Sequence, residues 1–298
     1  MIHVVGNSVL DIPLRYAPQW SNDTADAWTT QNVHFLQQPV DGVLGGCGAA
    51  TAYALGKLGQ TVSLNTQVGD DPFGQVIRAW LDDAHVQVVG SSAKHTAVNV
   101  IPLGEDGSRR SLYYTGAKID WDISREVACD IFFASGYGLV DAFDMPVLMQ
   151  VFQQMQAQGV KVVFDPSPWF MMRSDAQTMY RAWQYVDVLV GTQDELNTWA
   201  QLDDVSALIP FLSELGPPCV VVKQGAEGAS FCGGDGCVRQ VGTKPVNQAY
   251  TVGAGDTFNA GLLHGLSAGD DLEGAVKFAV DLASKAVQSG RGALGAFD

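Results

Sequence analysis

Residues 250–265 read Tyr250-Thr-Val-Gly-Ala-Gly-Asp-Thr-Phe-Asn-Ala-Gly-Leu-Leu-His-Gly265. Gly253, Ala254 and Gly255 are too small to fill a core together. They let the backbone turn sharply and point several N–H groups one way. Apolar residues then recur at Phe258, Leu262, Leu263 and Leu266, which is helical spacing. A small-residue loop that opens into a helix is an anion cradle, because free N–H groups and the positive end of the helix dipole face one point. Asp256 sits at that point. One reading makes it a helix N-cap. A carboxylate would repel a bound phosphate, so the other reading makes it a base acting on a hydroxyl that attacks the phosphate.

The chain has 298 residues, of which 47% are hydrophobic and 16% charged, so a large core is within reach and disorder is not indicated. Its net charge of −15, with 17 Lys plus Arg, argues against nucleic-acid binding, which needs a basic surface. No apolar run reaches the ~20 residues that cross a bilayer. The start Met1-Ile-His-Val-Val-Gly6 reads as a strand rather than a signal peptide, so a cytoplasmic protein is expected. Cysteines 47, 129, 219, 232 and 237 form no Cys-x-x-Cys and are expected to be reduced. Cys232 and Cys237 flank a Gly-Gly-Asp-Gly hairpin turn. Histidines 3, 34, 85, 95 and 264 show no metal spacing and are expected to be structural or on the surface.

Apolar, β-branched runs at 2–6, 62–68, 131–135, 161–165, 186–191 and 219–223 alternate with helical patterns. These fall near 47–58, 73–84, 144–158, 205–214, 256–267 and 271–288. Such alternation implies a mostly parallel sheet covered by helices on both faces. Residues 12–43, with Pro13, Pro18 and Pro39, and residues 95–116 break the rhythm. The second stretch reads as a hairpin around Gly104-Glu-Asp-Gly107. Asn99, Arg109 and Arg110 on it face either substrate or solvent. Tyr137, after the strand ending in Ser135-Gly136, is a similar candidate.

The 250–265 stretch, continuing through Thr257-Phe-Asn-Ala-Gly261, resembles the C-terminal signature of the ribokinase-like (PfkB) carbohydrate kinases. Gly45-Gly-Cys-Gly-Ala-Ala-Thr-Ala-Tyr-Ala-Leu-Gly-Lys-Leu-Gly59, followed by Val68-Gly-Asp-Asp-Pro-Phe-Gly74, resembles their N-terminal signature. The likeness covers essentially the whole chain. It implies one kinase domain over 1–298 with a three-layer α/β/α ribokinase-like fold. The segments 12–43 and 95–116 would form a small β-sheet lid, which in relatives often serves as a dimer clasp. It implies ATP and Mg²⁺ as partners and transfer of a phosphoryl group to a hydroxymethyl group of a sugar. Asp256 would be the base, with Gly253, Ala254 and Gly255 as the anion hole.

The resemblance extends to further positions. Asp11, Gly45 and Gly46 would grip the sugar; Asn99, taken from its place on the hairpin and not from the resemblance, is the further substrate-binding candidate. Thr192, Lys223, Gly225 and Gly228 would hold the nucleotide. Glu195, in Thr192-Gln-Asp-Glu195, would hold Mg²⁺ through water. Asp11 also reads as a turn residue, Gly45 and Gly46 as a turn before a helix, Gly225 to Gly228 as a plain β-turn, and Glu195 as an acid favoured by a helix dipole.

Departures are equally informative. Tyr250 stands where the family commonly has an Asp of a monovalent-cation site, which leaves K⁺ activation open. Cys47, Ala50 and Thr192 replace a Lys and an Asn of ribokinases and the Asn of Asn-x-x-Glu, so the substrate expected is a sugar other than ribose. A nucleoside kinase of the same fold is the alternative, with the aromatics of 16–35 and Tyr113-Tyr114 as a base slot. A catalytically weak sugar-binding protein is the alternative of another class. The chain lacks a Gly-x-Gly-x-x-Gly after its first strand, a Walker A sequence and the protein-kinase set.

Overall fold

Short runs rich in Val, Ile and Phe build a nine-stranded sheet in the order β15-β14-β13-β12-β11-β10-β1-β4-β6 in the computed structural model. It describes residues 1–15, 36, 39–104, 110–136, 144–167, 174–244, 246 and 251–298. The strands are β1 (Ile2–Val5), β4 (Val62–Asn65), β6 (Gln87–Val88), β10 (Ile131–Ser135), β11 (Lys161–Asp165), β12 (Val188–Thr192) and β13 (Cys219–Lys223), all parallel. The hairpin β14 (Ala229–Cys232) and β15 (Val238–Val241) closes one edge antiparallel. The Cys232–Cys237 segment turns between these two strands, as its glycines indicate.

Alternate residues of each strand face opposite cores. Ile131, Phe133 and Val221 join one cluster, while Phe132, Ala134, Val220 and Val222 join the other. The first core is covered by the helices Cys47–Lys57, Pro72–Asp83, Ala254–Ala268 and Leu272–Ser289. The second is covered by Met145–Ala157, Ala176–Trp183, Gln193–Ala200 and Val205–Glu214. The fold is therefore a three-layer α/β/α sandwich. No helix among the described residues is long and apolar enough to cross a membrane.

His3, in the centre of the sheet, is part of the fold. Its Nδ1 lies 2.7 Å from the Ser63 hydroxyl and its Nε2 3.0 Å from that of Ser124. Burial pushes its pKa down to about 4, against the hydrogen bond at Ser63. A neutral imidazole thus ties β1 to β4 and to the 3₁₀ turn Trp121–Glu126.

The short strands β5 (Val68–Gly69) and β7 (Ser92–Ala93) pair with each other in parallel, and a further sheet has the order β3-β2-β8-β9. Its strands are β2 (Val9–Arg15), β3 (Val43–Gly45), β8 (Ala97–Leu103) and β9 (Leu112–Tyr114). The expected hairpin is present as the antiparallel pair β8–β9, although the turn residues 105–109 lie outside the described residues. β2 begins at Val9, earlier than the break in rhythm at residue 12 suggests. Pro13 hides this strand from a sequence reading. It is tolerated because, among the described residues, β3 pairs only with Val9, Leu10 and Asp11, so from residue 12 onward that side of β2 is a local edge there.

Candidate active site

A cavity of about 310 Å³ lies between the small sheet and the C-terminal ends of β11, β12 and β13. Open α/β sheets bind ligands at those ends. Asp165, Thr192 and Lys223 are the last residues of these strands and line it.

The opposite wall follows from the period of two in a strand. Val9 and Asp11 on β2, Asn99 and Ile101 on β8, and Tyr113 on β9 all face the cavity. The register sets Asp11 opposite Asn99, and Asn99 opposite Tyr113, in one row across three strands. Asn99 Nδ2 donates to Asp11 Oδ1 at 3.2 Å, and the buried Asn99 Oδ1 has no partner among the described residues. Burial raises the Asp11 pKa to about 7, opposed by the Asn99 hydrogen bond and assisted by the charge of Asp256. Asp11 lies inside a strand of the small sheet rather than in a turn.

The third wall is the Gly253 loop and the helix behind it. Gly253 is the N-cap, with φ 79°, and a Cβ there would stand 2.9 Å from Gly292 Cα. Glycine is required on both counts. Asp256 is the third residue of the helix and Gly253 its N-cap, which removes the N-cap reading of Asp256. The amide of Ala254 donates to Thr251 O at 3.2 Å and that of Thr257 to Gly253 O at 3.0 Å. The amides of Gly255 and Asp256 have no intrahelical acceptor. Burial raises the Asp256 pKa, against the pull of the Cys47 thiol and the Lys223 ammonium.

Glu195 plays the structural part foreseen for it and also lines the cavity. Its Oε2 accepts the Thr192 amide at 2.7 Å, and the Thr192 hydroxyl accepts the Glu195 amide at 3.3 Å, a capping box for the helix Gln193–Ala200. Burial and the charge of Asp165 raise its pKa, while Lys223 lowers it.

Asp11, Gly46, Asn99, Thr192, Glu195, Lys223, Gly253, Gly255 and Asp256 thus meet around one space. Gly45, Ala254, Gly225 and Gly228 do not line it. Gly45 pairs with Val9 and packs against the Asp11 carboxylate, which a Cβ would meet at 2.2 Å. Gly225 and Gly228 bound the 3₁₀ turn after β13, with φ 58° and 94°. Arg109, Tyr137, Tyr250 and residues 16–35 lie outside the described residues; Arg110 is exposed.

Sequence reasoning misses Asn7, Asp165 and Asn259, and reads Cys47, which lines the cavity, only as a departure from ribokinases. Asn7 Oδ1 accepts the Cys47 amide at 2.9 Å, and its Nδ2 donates to the Tyr113 hydroxyl at 2.9 Å. Lys223 Nζ donates to Asp165 Oδ2 at 2.8 Å. Of these, Asp165 carries a signal: it ends a buried apolar run just before a proline.

Residues 19–295 match the pfkB family carbohydrate kinase family. The chain belongs to that family. It is accordingly an ATP-dependent carbohydrate kinase. A fructokinase of Klebsiella pneumoniae is 29% identical over 254 residues, 80% of this chain and 82% of that protein. A 5-dehydro-2-deoxygluconokinase of Shouchella clausii is 26% identical over 257 residues, 79% of this chain and 77% of that protein. Among solved structures, Arabidopsis thaliana ribokinase complexed with ribose and ATP aligns with a TM-score of 0.78 at 22% identity. That alignment covers 99% of this chain and 94% of the other, and it establishes the likeness of fold.

Proposed function

We propose that this pfkB-family kinase transfers the γ-phosphoryl group of ATP to a hydroxymethyl group of an unphosphorylated sugar, with Asp256 as base. The observation that carries this reading is the pairing of Asp256 with two amides at the start of its helix, those of Gly255 and Asp256, that have no acceptor among the described residues. Phosphoryl transfer asks mainly for alignment and charge stabilisation. The hydroxyl oxygen bonds to phosphorus as the bridging P–O bond breaks, and that bond's electron pair leaves on ADP. The hydroxyl proton passes to Asp256 Oδ, whose raised affinity for a proton suits a base. The amides of Gly255 and Asp256 face the oxygens on which charge develops.

The sugar end offers acceptors. The Asp11 carboxylate and the unpartnered Asn99 Oδ1 suit a ligand rich in hydroxyl donors. Lys223 and Thr192 hold the nucleotide, with the Gly225–Gly228 turn beyond them. Mg²⁺ fits the donor set: it keeps its waters and leans on one or two carboxylates plus the phosphates, and Glu195 presents such a carboxylate to the cavity. The ion would supply charge neutralisation at the phosphates. The small sheet acts as the lid of a single domain. Its edge strand β9, where Leu112 and Tyr114 are exposed, is the proposed homodimer contact. The cytoplasm, where ATP is supplied, is the proposed compartment.

The test is ADP release with Mg-ATP across neutral sugars, sugar acids and nucleosides, with and without K⁺, followed by ³¹P NMR of the product. Turnover on a sugar, with phosphate on its primary carbon, is the expected result. Turnover on nucleosides alone would overturn the sugar assignment. Mg-ATP binding without turnover on any acceptor would point to a protein that binds sugars without catalysis.

A further inference from the structure

Lys223 is the one cationic side chain among the described residues that line the cavity. Its ammonium does not reach out from a flexible stem into water. It is 11% exposed and lies 2.8 Å from Asp165 Oδ2, on a carboxylate that is 5% exposed. Asn259 closes the arrangement. Its Nδ2 donates to the same Asp165 oxygen at 2.8 Å, while its Oδ1 lies 3.5 Å from Lys223 Nζ. The three groups come from the end of β11, the end of β13 and the second turn of the helix Ala254–Ala268. Each fixes the other two.

The direction in which the ammonium is held is the informative part. A Cβ added to Gly255 would have Lys223 Nζ as its nearest neighbour, at 3.8 Å. The ammonium therefore stands beside the first turn of the helix whose open amides also face the cavity. Two positive features, an ammonium and a helix N-terminus, repel each other unless negative charge lies near both. Asp165 supplies that charge on the buried side. Burial disfavours the ammonium, and the Asp165 and Glu195 carboxylates outweigh it. An ammonium has three donors, and Asp165 and Asn259 engage two. A buried pair that served stability alone would gain little over apolar residues of the same volume.

We propose that Lys223 donates its remaining hydrogen bond to the γ-phosphoryl group in transfer, and that Asp165 and Asn259 are positioning residues that aim it. This rests on the kinase reading above. Lys223 changes no covalent bond in the step: the acceptor oxygen bonds to phosphorus, the electron pair of the broken P–O bond leaves on ADP, and the proton goes to Asp256. The ammonium offsets the charge on the phosphoryl oxygens. Asp165 and Asn259 act through Lys223 rather than on the substrate.

The test compares two nucleotides by calorimetry in the presence of Mg²⁺: ADP, and the ATP analogue with an imido bridge between β- and γ-phosphorus. Lys223→Met is expected to weaken analogue binding by about tenfold to a hundredfold, the range of one charge-assisted hydrogen bond, and to leave ADP binding within about twofold. Asp165→Asn is expected to weaken the analogue selectively and to a smaller degree. Lys223→Met alone strands a buried carboxylate, so the double variant Lys223→Met/Asp165→Asn provides the folded comparison. Its analogue affinity is expected to equal that of Lys223→Met, because Asp165 has nothing left to aim. Equal losses for both nucleotides, or independent additive losses from the two substitutions, would overturn the inference and leave the kinase reading standing. Failure of the unmodified protein to bind either nucleotide would sink both.

Discussion

The helices Cys47–Lys57 and Ala254–Ala268 both begin at the cavity behind a glycine of positive φ, 83° at Gly46 and 79° at Gly253. Both come from small-residue stretches, Gly-Gly-Cys-Gly-Ala-Ala and Gly-Ala-Gly-Asp. Their first amides have opposite fates. At the first helix, Asn7 takes them all: Cys47 N donates to its side chain at 2.9 Å, and Gly48 and Ala49 donate to its carbonyl at 3.1 and 3.0 Å. At the second, the amides of Gly255 and Asp256 have no acceptor among the described residues. A glycine-rich helix start is thus not in itself an anion site. It becomes one only where the fold supplies no internal acceptor.

The largest expected effect lies at the open end. Asp256→Asn keeps the shape of the side chain and removes its basicity. With the best acceptor sugar, kcat is expected to fall by roughly 10²- to 10⁴-fold while nucleotide affinity changes little. A fall in KM-controlled rate alone, with kcat retained, would move the base elsewhere.

Asn7→Ala probes the sealed end. It removes the acceptor for the Cys47 amide and the tie to Tyr113. The buried amide left behind should cost about 1–3 kcal/mol, read as a lowered midpoint of urea unfolding. Turnover should change far less than in Asp256→Asn. The reverse order, with Asn7→Ala catalytically dead and fully stable, would break the comparison.

The smallest effect is in pH dependence. Asp11 has a folded-state pKa of about 7 against an ordinary value of 3.8, with burial as the main cause. Between those values the folded chain binds the proton and the unfolded chain does not. Stability from this group is therefore fully present below the lower value and is lost as pH rises toward the higher one. Asp11→Asn should flatten that decline in urea midpoints between pH 4 and about 7. An unchanged slope would show that Asp11 is ionised in the fold.

How much of this is legible in the sequence depends on range. The glycine loop that opens into a helix is local, four adjacent residues followed by a helical period, and it can be read directly. The core strands can be read because their apolar runs are continuous. Only the start of the helix Gln193–Ala200 is legible, through Glu195; its length escapes because it buries only Leu196 and Trp199, and its capping box, rather than its periodicity, defines it. Strand β2 escapes because Pro13 argues against it. The Asp165–Lys223–Asn259 cluster escapes because its members are 58 and 36 residues apart, and only strand order brings them together. Asn7 is silent for the same reason: its partners are at Cys47 and Tyr113.

The most direct test of the contrast is to record amide ¹H–¹⁵N shifts while Mg²⁺ and the imido analogue of ATP are added. The account predicts large downfield proton shifts for Gly255 and Asp256, whose amides gain an anionic acceptor, and nearly still resonances for Gly48 and Ala49, which keep theirs. Still Gly255 and Asp256 resonances in a protein saturated with nucleotide would contradict it.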